Sequence, residues 1–178
     1  GKGRKGGGGG GRLAPSSSFR HPLLRTPQPF THVALAAAGA GWGMGRESHL
    51  WAVACCMLVG VASSFYATPM VDGKAYERIR RKRGWTVWQF HAGSAVLHLA
   101  PLWLVAARPP ERATLAHGAA AAGVHLAWAA AWVGTFHLDE VYVPLRPGQW
   151  AVLWGVALAS ELAAPMVGKE VAKMVCSS

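Results

Sequence analysis

A chain of 178 residues that is 52% hydrophobic and only 15% charged departs from soluble domains, in which about 25% of residues are charged. One membrane domain is the economical reading. The net charge of +10 would suggest nucleic acid in a soluble protein. Here the Lys and Arg cluster beside apolar segments, where they orient helices and attract anionic head groups, so no nucleic acid is expected. Three cysteines, of which Cys55 and Cys56 are adjacent, imply neither a disulfide framework nor a zinc site.

Residues 1–30 are rich in Gly, Ser, Pro and Arg and precede the first acid, Glu47. They cannot bury a core and are expected to be a disordered leader. The same Arg- and Ser-rich, acid-poor composition fits an organellar transit peptide. The chain does not open on Met, which fits a fragment or a processed product. Next comes a short Ala- and Gly-rich stretch, 30–44, that hydropathy alone does not make a span. Charge favours counting it as a fifth, because the leader, the 72–85 loop and the 137–147 loop then share one side.

Four apolar segments follow: His49–Val71, Thr86–Ala107, Thr114–Phe136 and Gly148–Val167. Each is near the ~20 residues that cross ~30 Å of hydrocarbon. The predicted fold class is therefore all-α: a multi-pass transmembrane helix bundle over 31–172, with a tail over 173–178. Trp51, Trp85, Trp88, Trp103 and Trp150 fall near span ends, where amphipathic rings prefer the interface. The first loop carries Lys74, Arg78, Arg80, Arg81, Lys82 and Arg83, a cluster expected to face the cytoplasm, matrix or stroma and to meet anionic lipid head groups. The last loop, 137–150, holds Asp139, Glu140, Tyr142 and two prolines, and reads either as the mouth of a pocket or as a stiff connection.

Ionisable groups inside spans are costly and are the default place to look for function. They are His91, His98, His117, His125 and Glu161. At a rise of about 1.5 Å per residue, His98 and His125 fall near the midplane and Glu161 roughly 5 Å from it. The three are expected to meet in one polar pocket, with a carboxylate orienting an imidazole as a general base requires. The plainer alternative is that each group bonds a neighbouring helix and fixes packing. A single b-type haem between His98 and His125 is the cofactor reading, since axial ligands are often His. Otherwise no cofactor and no metal are expected.

From Trp51 onward, Trp88-Gln89-Phe90-His91 opening a span, Pro101 later in it, and Tyr142-Val143-Pro144 before the last span resemble the androgen-induced-gene and androgen-dependent TFPI-regulating protein family. The resemblance covers about 100 residues. It implies a multi-pass endomembrane protein acting as a threonine hydrolase on fatty-acid esters of hydroxy fatty acids. The family's catalytic histidine would fall at Ser94, so His98, one turn on, takes that role. The early-span threonine is met by Thr31. The leading expectation is thus a lipid-handling hydrolase of an endomembrane. His98 would be the base, Glu161 and His125 would share its pocket, and Thr31 or Ser94 would be the nucleophile, activated by the base. The alternatives are a non-catalytic subunit working with other membrane proteins, in an organellar inner membrane if the leader is a transit peptide, and a haem-binding electron carrier.

Overall fold

A computed structural model of the protein describes residues 29–135 and 145–176. Every regular element among them is a helix. In chain order these are α1 (Pro29–Met44), α2 (His49–Val71), α3 (Ala75–Lys82), α4 (Val87–Ala107), α5 (Leu115–Thr135) and α6 (Pro147–Cys176). Residues 1–28 and 136–144, most of the expected leader and most of the last loop, lie outside the described residues; Pro29 and Phe30, expected in the leader, instead open α1, and Phe30 is buried in the core. Helices therefore occupy all four apolar segments. Two of them, α2 and α4, are long and apolar enough to cross a membrane.

Local chemistry sets the helix starts. Ser48 caps α2, its hydroxyl accepting from Trp51 N–H at 3.3 Å. Thr86 and Gln89 form a capping box at the start of α4, each side chain taking one of the first turn's free N–H groups. α6 runs on to Cys176, beyond the end of the apolar segment at 167 and into the expected tail, because no proline follows Pro165 and the one weak helix former there, Gly168, is outweighed by its neighbours.

Helix α3 lies inside what the sequence presents as a loop. It is too short and too charged to register as a span. Its charges nevertheless suit a helix, with Glu77 in the first turn and Arg80, Arg81 and Lys82 in the last, each sign favourable to the dipole at that end. Glu77 also pairs with Arg81 one turn on.

α2 is the hub, packed against α6, α1 and α5. α1 buries Phe30, Ala34 and Ala38, one stripe at helical spacing. At 16 residues it is about 24 Å long, short of ~30 Å of hydrocarbon. The two ends of the bundle are fastened separately. At one end Gln149 Nε2 donates to Val71 O at 3.1 Å. There Arg78 also pairs with Asp72, holding the Asp72 carboxyl below the usual carboxylate range, with Lys74 N–H helping. At the other end Arg46 pairs with Glu111 at 2.5 Å and Trp51 Nε1 donates to Arg108 O at 3.0 Å.

Candidate functional site

The buried polar residues include His98, His125, Glu161, Thr31 and Thr68. His125 of α5 and Glu161 of α6 meet, with Nδ1 and Oε1 2.9 Å apart. Glu161 is wholly buried, 0% exposed, and its Oε2 has no hydrogen-bond partner. Phe30 of α1 covers the imidazole, the rings stacking at 3.9 Å and 10°. Three helices thus build the pair, and a fourth, α2, closes over it.

That closure depends on two glycines. A Cβ on Gly60 of α2 would overlap the side chain of Glu161, and one on Gly118 of α5 would lie 2.6 Å from Glu161 O. Small residues let helix backbones approach closely inside a bundle. Here they let α2 and α5 grip the turn of α6 that carries the acid. Sequence reading weighed the ionisable groups and passed over these glycines. Their signal was present, as small residues in apolar segments that also had to bury a carboxyl.

His98 is elsewhere. It is buried, 3% exposed, but its ring stacks on Phe65 of α2 at 3.9 Å and 9°, and its Nδ1–H donates to Ser94 O at 2.9 Å. Among the described residues His98 makes no hydrogen bond or ring contact with His125 or Glu161, so two of the three expected partners come together and the third does not. On α2, Phe65 and Gly60 are five residues apart, about 7.5 Å along the axis.

The local reason is Pro101. Having no N–H, it cannot bond the carbonyl one turn back, and its ring crowds that carbonyl. Residues Ala95–Leu99 take up a π-helical turn instead, a single-turn bulge of the kind that re-aims side chains. Ser94 Oγ meanwhile donates to Phe90 O at 2.7 Å. The hydroxyl bonds its own helix and His98 bonds the carbonyl of Ser94, so this pair is not set up as nucleophile and base. Thr31 is buried on α1, next in sequence to Phe30.

Other polar contacts lie near the bundle ends. His49 Nδ1 and His117 Nε2 are 2.8 Å apart. Thr114 N–H donates to His117 Nδ1 at 3.0 Å, which leaves the proton of a neutral His117 on Nε2, facing His49. Tyr76 of α3 donates its hydroxyl to Phe65 O at 2.5 Å and stacks on the Phe65 ring at 4.8 Å. Burial pushes the Tyr76 hydroxyl above its usual range, so it stays a donor. No cluster of three or more His, Cys, Asp or Glu suited to a metal occurs among the described residues. Comparison with known proteins gives no match: no family model, no curated protein and no solved structure aligns with this chain.

Proposed function

We propose that the chain is a multi-pass integral membrane protein of an endomembrane, crossing the bilayer with α2, α4, α5 and the apolar part of α6, and with α1 packed alongside as a shorter fifth element. One observation carries this reading: large apolar side chains are exposed along the helices while titratable ones are buried between them. The charged or titratable side chains Glu161, His125 and His98 are inside, while Trp88 and Trp103 (both 77% exposed), Val96, Leu99, Leu126, Val152 and Met166 are outside. An apolar groove of about 620 Å³ lined by Ala95, Val96, Leu99 and Trp103 runs along α4. Water would penalise such a surface, whereas acyl chains would cover it. The 23 residues of α2 rise about 35 Å, enough to cross. α3 would lie at the cytoplasmic surface, its Arg and Lys meeting anionic head groups.

Tryptophan quenching by bromine-labelled lipid tests this. Emission lost on replacing Trp88 or Trp103 by Phe should be the quenched part, and emission lost on replacing buried Trp51 should be unquenched. Equal insensitivity of all three would end the reading.

A second reading, a lipid-handling hydrolase, is favoured by the place of Thr31. It is buried and next in sequence to Phe30, whose ring stacks on His125, and Glu161 is bonded to His125 as an orienting carboxylate would be. In that reading His125 replaces His98 as the base, and Thr31 is the nucleophile. Labelling by a lipophilic fluorophosphonate, lost in Thr31→Ala and kept in Ser94→Ala, is the expected result. Labelling kept in Thr31→Ala would remove Thr31 from the role.

A further inference from the structure

We propose that Glu161 is an intramembrane proton-binding site, held at rest as the neutral acid with Oε1–H donating to Nδ1 of a neutral His125; this rests on the bilayer reading above. One hydrogen bond of 2.9 Å joins the two residues, and three proton arrangements satisfy it. Imidazolium with carboxylate, and neutral imidazole with carboxylate, both leave negative charge on Oε2. That oxygen is buried and has no donor. The neutral acid leaves Oε2 as an uncharged carbonyl oxygen, for which a missing hydrogen bond costs least.

Among the described residues, His125 is the one side chain hydrogen-bonded to the carboxyl. Gly60 and Cys56 approach from α2, Gly118 and His125 from α5, and Phe30 of α1 covers the imidazole. No Lys or Arg occurs between Glu47 and Lys74, between Arg112 and Arg146, or between Arg146 and Lys169, so no fixed cation lies at this depth on α2, α5 or α6.

The two glycine contacts also define the ligand. A single methyl group at Gly60 would already collide with Oε1, Cγ and Cδ of Glu161, so no water or metal ion fits between α2 and that side of the carboxyl. A proton needs no such space. Glu161 has no exposed surface, whereas His125 retains 8%, so exchange runs through the imidazole. On release, Nε2–H of His125 passes its proton to water as the Oε1 proton moves to Nδ1, leaving a carboxylate and a neutral ring protonated at Nδ1. On uptake, a proton adds at Nε2 and the Nδ1 proton returns to Oε1. Each cycle moves one proton and one unit of charge.

Infrared spectroscopy of the full chain in lipid nanodiscs tests the assignment. At neutral pH, wild type should show the carbonyl band of a protonated carboxylic acid, shifting in D₂O. Glu161→Gln should lack it, and His125→Phe should keep it but delay the D₂O shift. An inserted wild-type protein with carboxylate bands only would overturn the proposal, as would a band that survives Glu161→Gln. A D₂O shift as fast in His125→Phe as in wild type would overturn the imidazole route. Failure to enter the nanodisc would instead overturn the bilayer reading, and this proposal with it.

Discussion

α2 and α4 are alike in length and apolarity and opposite in use. Over its most apolar stretch α2 is 56% buried, and α4 is 11% buried. The difference lies in small and polar residues rather than in hydrophobicity. α2 carries Gly60, which admits Glu161, and packs on each of the other five helices. α4 carries Pro101 and the π turn, which turn His98 inward while Trp88, Val96 and Trp103 face out. Hydropathy identifies a helix that can enter a bilayer. Where that helix sits in the bundle is decided by which residues let a neighbour approach.

Substitutions at the two faces should therefore differ, and the largest effect belongs at the glycine clamp. Gly118→Val places a side chain against the backbone of Glu161 and Leu162, where relaxation requires helices to separate. Overpacking of this kind costs about 1–3 kcal/mol and occasionally more. Thermal unfolding in detergent should show Gly118→Val as the most destabilised variant, with Gly60→Val close behind. Wild-type stability in either would mean that α2, α5 and α6 do not meet as described.

Next in size is Glu161→Ala, which removes a buried partner from His125 and opens a cavity. Stranding a buried polar group costs about 1–3 kcal/mol. Glu161→Gln keeps the volume and should lose less. The same assay ranks them, and the reverse order would argue that packing plays no part at this position.

On α4 the effect should be small. Trp103→Ala leaves the buried side of the helix untouched and should change stability by no more than about 0.5 kcal/mol, the range of exposed substitutions. A loss of several times that would place Trp103 in a packed interface and erase the contrast between the two helices.

Much of this was legible in the sequence. The ends of α2 coincide with the apolar segment His49–Val71, because Ser48 and Asp72 are cap and stop residues as well as polar boundaries. The inward burial of His98, His125 and Glu161 was expected from the cost that polar groups would meet in hydrocarbon. Three features were not legible. The separation of His98 from the other two depends on a five-residue π turn, and counting residues at 3.6 per turn cannot register it. α3 was hidden because a charged eight-residue helix has the composition of a loop. Phe30 over His125 is a contact between chain-distant residues, with no periodic trace.

The smallest effect is at the α3 end of the bundle. Asp72 is held below the usual carboxylate range chiefly by Arg78. A depressed native value means that its contribution is present above that range and lost as pH falls through the native value. The protection of Lys74 N–H, which donates to Asp72 Oδ1 at 3.0 Å, measured as its exchange rate relative to the intrinsic rate at each pH, should fall on acidification below the usual carboxylate range, with the bundle intact. In Arg78→Ala the same loss of protection should come at higher pH; an unchanged profile would detach Asp72 from α3.

The proposed bilayer placement of the bundle is tested most directly by alkaline extraction of membranes from cells expressing the chain. Retention in the membrane pellet after carbonate treatment, with release by detergent alone, is the predicted result. Recovery in the aqueous supernatant as a monodisperse protein would contradict it, since Trp88, Trp103 and Met166 would then have to face water.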